Sequence, residues 1–338
     1  MPQPLVSSII PFYNSAETLA QAIESLLQQD YPRQEIILVN NNADQASRLI
    51  AKTYSEQHPQ IHLFTESRQG VMFAFNKGLA NSKGDFILRL DADDIALPSR
   101  ISDQIHFLQT QADVDLCSGL VRFEKGEIPS GGFQKYVDWV NSIQTEEEIK
   151  KAMFIESPIV NPSLMFRKSS LDKFGTYRAG NFPEDYELLL RWQEKGAKMA
   201  KTDNPVIIWR DSASRLTRTN FRYTEENFYK IKSEYLMRHL KQIQATDKKI
   251  MIWGAGKKTK QRIHFLKAYG LAIHGYIDVD PKKCEKDHSL HYLELPDKTS
   301  EDQLFILSLI AIPESREKIK QFLLKKSYKE GRDFILFA

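Results

Sequence analysis

Leu90-Asp91-Ala92-Asp93-Asp94 follows the apolar run Phe86-Ile87-Leu88 and precedes Leu97-Pro98-Ser99-Arg100. Phe86 to Leu90 reads as a short buried strand, so three carboxylates emerge where a strand ends. In an open α/β sheet, ligands bind in the crevice at the carboxyl ends of the strands. Two aspartates one residue apart at such a place can hold a hard divalent cation and the diphosphate it neutralises. The same triplet also reads as an acidic turn leading into a helix near Pro98, because Asp favours N-caps and turns. The sequence on either side decides between the two.

Upstream, strand and helix patterns alternate. Leu5 to Pro11 is an apolar, β-rich run, and Leu19, Ala22, Ile23, Leu26 and Leu27 have helical spacing. Glu35 to Val39 is a second strand ending in Asn40-Asn41-Asn42, and Ile61 to Phe64 is a third. A helix over Met72 to Ala80 leads into the strand that carries the aspartates. Such alternation predicts a parallel sheet covered on both faces.

Downstream, Asp113 to Phe123 reads as a strand and Lys125 to Gly132 as a loop. Thr145 with Glu148 forms a capping box, and Pro158 and Pro162 keep the segment after it extended. Phe182-Pro183-Glu184-Asp185 opens a helix with an apolar stripe through Tyr186, Leu189, Leu190 and Trp192. Residues 223–243 have the spacing of a long amphipathic helix. We place a domain boundary after it, giving domains 1–246 and 247–338. In the second, Lys249 to Trp253 feeds Gly254-Ala255-Gly256, then a helix, then Ile273 to Ile277 ending at Asp278. This is a small βαβ unit of the nucleotide-binding type, although Thr259 stands where a third glycine of that pattern would fall.

Size and charge bound the answer. The 338 residues suffice for two cores, and 41% hydrophobic with 27% charged residues is an ordinary globular composition. The net charge is +3, but the stretch from Lys248 onward holds 18 basic against 12 acidic residues. That bias is compatible with phosphate, with an anionic membrane face or with a plain solvated surface. Cys117 and Cys284 lack metal-ligand spacing and read as free thiols. No apolar run reaches the length of a membrane span. With no leader-like start, the expectation is a cytoplasmic protein, with peripheral contact at the membrane left open.

Four segments in order carry a resemblance. They are Val6 to Asn14, the stretch Gln28-Gln29-Asp30-Tyr31-Pro32 with Glu35-Ile36-Ile37-Leu38-Val39, the Asp91-Ala92-Asp93-Asp94 turn, and Pro183-Glu184-Asp185. Together, over roughly residues 4–220, they resemble the family 2 glycosyltransferases. The resemblance implies a GT-A-like, nucleotide-diphosphosugar-binding α/β domain with a mixed, mainly parallel sheet, here followed by a small Rossmann-like α/β domain. It implies Asp93 as ligand of Mn²⁺ or Mg²⁺ and Asp91 as its neighbour on the ribose or the metal. It implies Asp185 as the general base of an inverting transfer, and Pro11 and Asn41 in the wall of the donor site. As a bare sequence feature, Glu184-Asp185 is also a common helix-start acidic pair.

This chain departs from the family pattern in three places. Asn40-Asn41-Asn42 replaces the acidic pair after the second strand, and Phe75 replaces an arginine before Asn76. Ser212 stands near the place of a histidine in the segment that closes over the diphosphate. Arg210, Arg215 and Arg218 of that segment are candidates to clamp phosphate, or members of a salt-bridged surface loop.

The two-part layout is similar to that of glycosyltransferases acting on queuosine tRNA. The acceptor expected is therefore a saccharide, lipid-linked or tRNA hydroxyl, with a UDP-sugar as the donor. The rival expectation is a non-catalytic nucleotide-binding or regulatory protein whose live site is Gly254-Ala255-Gly256.

Overall fold

The computed structural model describes residues 3–126, 131–212, 215–285, 289–299 and 303–338. Residues 127–130 of the expected 125–132 loop, and Ala213 and Ser214 of the arginine-rich segment, lie outside them. The chain forms two compact units, one of residues 1–149 and 158–223, the other of 150–157 and 224–338. The long helix that sequence reading grouped with the first domain thus belongs, by its packing, to the second unit.

Among the described residues the first unit is built on eight strands: β1 (Val6–Phe12), β2 (Gln34–Asn40), β3 (Ile61–Thr65), β4 (Phe86–Arg89), β5 (Ile95–Ala96), β6 (Leu116–Glu124), β7 (Met165–Arg167) and β8 (Met199–Arg210). Their spatial order is β3-β2-β1-β4-β7-β6-β8-β5. β1 to β4 are mutually parallel and β6 is parallel to β8, whereas β7 runs against both β4 and β6, and β5 against β8. The sheet is therefore mixed and mainly parallel, as the strand–helix alternation predicts.

Helices α1 (Leu19–Leu27), α2 (Gln45–Gln57), α3 (Val71–Asn81) and α4 (Arg100–Thr110) flank the sheet, followed by α5 (Gly131–Asn141), α6 (Glu146–Ala152), α7 (Ser170–Phe174), α8 (Glu184–Glu194) and α9 (Leu216–Thr219). The apolar stripes of α1, α2, α4 and α5 close a core that runs from Val6, Ile10 and Leu38 through Leu88 and Leu90 to Val206 and Ile207. The α6 capping box forms as expected, with Glu148 accepting from the Thr145 backbone at 3.0 Å. Cys117 is fully buried on β6, and burial pushes its thiol up.

Two features shape the crevice at the strand ends. β4 runs beside β1 only as far as Ile9 opposite Arg89, so buried Pro11 lies beyond the paired stretch. A proline in a central strand removes a ladder donor; here the neighbour that would have used it has ended. At the end of β7's approach, the reversed direction brings the turn Asn161–Ser163, rather than a strand exit, next to the end of β4.

The second unit holds α10 (Glu225–Gln242), β9 (Lys249–Trp253), α11 (Lys257–Ala268), β10 (Gly275–Asp278), β11 (Leu290–His291), β12 (Leu304–Ser308), α12 (Pro313–Lys325) and β13 (Phe334–Leu336). Its sheet is all parallel in the order β11-β10-β9-β12-β13, the half-Rossmann arrangement expected. α10 packs on α11 through Tyr229 stacked on Phe265 at 6.0 Å. Lys232 of α10 is buried and donates to the carbonyls of Ile155 and Phe337 at 3.1 and 3.0 Å. These bonds explain why 150–157 joins this unit.

Candidate active site

β4 ends at Arg89, and the chain turns sharply through Asp91-Ala92-Asp93-Asp94, closed by the Asp94 N–H donating to the Asp91 carbonyl at 3.2 Å. The three carboxylates differ in setting. Asp94 is buried and accepts from the Arg210 backbone N–H at 3.0 Å, which ties the turn to the end of β8. Burial, with Asp93 and Asp91 adding to it, pushes Asp94 well above the usual carboxylate range. Asp93 is raised by burial and by Asp91, with Arg215 and Arg210 opposing. Asp91, like Asp93, is partly exposed, and it accepts from Arg89 Nε at 3.0 Å.

Sequence reading missed Arg89. It is almost wholly buried, in a strand otherwise made of apolar residues. Its guanidinium lies over the Phe75 ring at 5.0 Å and the Tyr177 ring at 5.3 Å. With the Asn161 amide in its fully bonded orientation, Asn161 Oδ1 accepts from Arg89 Nη1 at 2.9 Å and Nδ2 donates to the Tyr177 hydroxyl at 2.6 Å. A signal was present: residues 89 and 91 lie two apart, which in extended chain gives one shared face.

α8 opens with Glu184 and Asp185. The helix is anchored by buried Arg191, which binds Glu187 at 2.9 Å and donates to the Phe174 and Thr176 carbonyls. Glu184 is buried, and both its oxygens lie 2.8 Å from the Tyr223 hydroxyl. Burial first, and then Asp185, push Glu184 up to about 7. Asp185 is partly exposed; burial raises it, against the stabilising Tyr186 N–H at 2.8 Å and the nearby Arg89 charge, while Asp91 adds to the rise. Arg89 and Asp91 are thus electrostatic neighbours of Asp185. The structure brings the Asp91 turn and the start of α8 to one place, which linear sequence separates by some ninety residues.

The remaining candidates are distributed as follows. Asn41, buried at the end of β2, donates through Nδ2 to the Glu66 and Arg68 carbonyls at 2.9 and 2.8 Å and accepts from Gly70 N–H at 2.8 Å. Its amide clamps the loop before α3, where Gly70 adopts a positive φ of 139°. Arg210 donates to Gln21 Oε1 at 2.5 Å. Arg215 stacks on Trp209, 3.9 Å from the ring centre, and donates to the Arg210 carbonyl at 2.8 Å. Arg218 pairs with buried Asp211 at 2.7 Å. Of the three arginines, Arg210 and Arg215 act electrostatically on Asp93.

The donor set is one of hard oxygen ligands. Among the described residues no three His, Cys, Asp or Glu side chains gather to enclose a metal on their own. Such a donor set would suit a hard cation held by two carboxylates and completed by phosphate oxygens, and a cation there would offset the Asp91 charge that, after burial, raises Asp93.

A profile described as glycosyl transferase family 2 matches residues 7–175, which span β1, the aspartate turn and β7. The chain belongs to that family. It is similar to the putative glycosyltransferase EpsE of Bacillus subtilis, 26% identical over 66% of this chain and 79% of that protein. It is also similar to the amylovoran biosynthesis glycosyltransferase AmsE of Erwinia amylovora, 27% identical over 68% and 85%. Among solved structures, S. aureus TarS 1-349 in complex with UDP-GlcNAc superposes with a TM-score of 0.55 at 15% identity, over 78% of this chain and 71% of that one. That likeness establishes a shared fold. The chain is a glycosyltransferase with a GT-A-like domain and a second, smaller α/β unit.

In that second unit, the Gly254-Ala255-Gly256 turn is close-packed at Gly254 and open at Gly256, where an added Cβ would meet nothing within 4 Å. A Cβ at Gly254 (φ 103°) would meet Ile310 at 2.7 Å. Ala255 N–H and Asp280 N–H both donate to Asp278, at 2.8 and 3.0 Å, so this carboxylate is engaged with the turn itself. No helix among the described residues is long and apolar enough to cross a membrane.

Proposed function

We propose that this glycosyltransferase moves a sugar from a UDP-sugar to an acceptor hydroxyl, with inversion and with a divalent cation. The observation that carries the reading is the meeting of two acidic groups of different character: the Asp91–Asp94 turn and the Asp185 carboxylate beside it. Asp91 and Asp93 would hold Mn²⁺ or Mg²⁺ against the donor diphosphate, where a cation offsets charge on the departing group. Arg215, stiffened by Trp209 and close to Asp93, supplies a second positive charge on the same side.

Asp185 accepts the acceptor hydroxyl proton as that oxygen attacks the anomeric carbon and the bond to the diphosphate breaks. One in-line displacement inverts the centre. Burial makes Asp185 a stronger base than a solvated carboxylate, while the nearby Arg89 charge opposes that rise. The TarS neighbour's UDP-GlcNAc supports a uridine donor. Relatives named for amylovoran and O-antigen biosynthesis support a saccharide or glycoconjugate acceptor.

The test is a thermal-shift and calorimetric panel of UDP, GDP, dTDP, CMP and NAD, each with and without Mn²⁺. A ligand that binds only the folded protein raises its melting temperature. A Mn²⁺-dependent response to UDP is expected, after which radiolabelled UDP-sugars are offered to saccharide, lipid-linked and tRNA acceptors. A metal-independent response to NAD alone would move the ligand site to the second unit and end this reading.

A further inference from the structure

Arg89 is a charged group in a place where charge is costly. Moving a guanidinium out of water is tolerated only where it is paired and hydrogen-bonded. Here the pairing has a particular form. One nitrogen, Nε, binds one Asp91 oxygen, Oδ1, at 3.0 Å. The Asn161 amide oxygen lies 2.9, 3.1 and 3.2 Å from Nη1, Nη2 and Nε, so it caps the guanidinium as a whole, and two aromatic rings, Phe75 from α3 and Tyr177 ahead of α8, lie against it.

Each partner is itself held. Asn161 is tied to the Tyr177 hydroxyl, and the Tyr177 carbonyl accepts from Asn76 Nδ2 at 2.8 Å. Arg100, buried in α4, donates to the Arg89 carbonyl at 2.8 Å and fixes the backbone from below. A side chain wedged this way has little rotamer freedom left. Among the described residues the second Asp91 oxygen, Oδ2, accepts no hydrogen bond, and the Asp91 side chain is 31% exposed.

We propose that Arg89 is the positioning residue of the donor site. It grips Asp91 by one oxygen, sets the carboxylate plane, and leaves the other oxygen for the cation and diphosphate. The Phe75–Tyr177–Asn161 socket is what makes that grip rigid. This inference rests on the donor-site reading given above. Partners that orient a metal ligand from behind commonly contribute 10- to 100-fold in metal affinity or activity. A bonded side chain on a strand, backed by packed rings, is the kind of support such a site needs.

The experiment is calorimetric titration of the full chain with UDP in the presence and absence of Mn²⁺, for wild type, Arg89→Lys, Arg89→Met, Asp91→Asn and the double variant R89M/D91N. The expected result is Mn²⁺-dependent UDP binding weakened about 10- to 100-fold in R89M and less in R89K. The double variant is expected to bind no more weakly than D91N alone, because Arg89 acts through Asp91. Metal-free melting temperature and far-UV circular dichroism are read on every variant, and R89K keeps the question answerable if R89M does not fold.

Folded variants that bind UDP–Mn²⁺ within twofold of wild type would overturn the role of Arg89 and leave the donor-site reading intact. Losses that add fully to those of D91N would likewise overturn it, by showing a general structural effect. A wild-type protein that binds neither UDP nor GDP with Mn²⁺ overturns the donor-site reading, and this inference with it.

Discussion

The Tyr223 hydroxyl sits 2.8 Å from both carboxylate oxygens of Glu184, the residue immediately before the candidate base. One phenol proton is shared between two acceptors in a buried place, so the carboxylate is only partly compensated. Burial and Asp185 hold the Glu184 acid up to about 7. A raised folded-state value means that the stabilising contribution is complete below the ordinary glutamate range and is lost as pH rises through about 7. Glu184→Gln keeps an acceptor for Tyr223 and removes the ionisation. Its melting temperature should match wild type near pH 4.5 and exceed it increasingly toward pH 8, by an amount on the order of 2 kcal/mol in stability. Unfolding curves across that range check the sign.

The two acidic centres should separate kinetically. Asp185→Asn is expected to lower turnover by about 10²- to 10⁴-fold, the span of general base contributions, with donor binding unchanged. Asp93→Ala is expected to abolish transfer and to weaken Mn²⁺-dependent UDP binding as well. Calorimetry beside steady-state rates distinguishes the pair. Near-normal turnover in both variants would remove the proposed mechanism.

Arg215 and Arg218, three residues apart, should behave differently. Arg218 compensates the Asp211 side chain, which is 1% exposed. Removing it leaves a buried charge unpaired, so Arg218→Ala should destabilise the fold by about 3 kcal/mol in urea. Arg215 is held by Trp209 and by the Arg210 carbonyl but has no carboxylate at ion-pair distance among the described residues. Arg215→Ala should weaken UDP binding with little loss of stability.

Asn41→Ala deletes the three hydrogen bonds that hold residues 66–70. Two carbonyls and one N–H then lose their partner in a largely buried place, which should cost about 2–3 kcal/mol. If Asn41 instead served the nucleobase alone, stability would hold and only nucleotide selectivity would change. A urea melt with a UDP/GDP competition titration reads both.

What the sequence made legible follows the strength of its patterns. β1, β2 and β4 are each centred on a short apolar run (Ile9-Ile10, Ile36 to Val39, Phe86 to Leu88), as parallel strands buried on both faces tend to be, and they were readable to within a residue or two. β8 was not read, because Lys201-Thr202-Asp203-Asn204-Pro205 interrupts it; only in the fold does buried Lys201 find the Val140 carbonyl and the strand a parallel partner in β6. α5 starts at Gly131-Gly132, residues that signal a turn, and Phe133 and Tyr136 on its apolar face pack against Trp209 while Trp139 packs on Tyr136.

The site divides in the same way. The aspartates and the Glu184-Asp185 pair announce themselves by residue type and position. Arg89, Tyr177 and Tyr223 do not, because their importance lies in contacts made across long stretches of chain. An arginine between Leu88 and Leu90 looks like an exposed interruption until the acceptor two residues on is seen beside it.

Cys117 lies fully buried in the first unit and Cys284 is partly accessible in the second. The two thiols therefore form a reporter of local breathing without any engineered label. A maleimide dye should modify Cys284 directly from the native state, slowed by the raised thiol. Modification of Cys117 must wait for β6 to come free of its sheet. The ratio of the two labelling rates, read by mass spectrometry, is then a clock for opening of the transferase unit. If nucleotide and Mn²⁺ slow only the Cys117 arm, their binding is placed in the first unit without a structure of the complex.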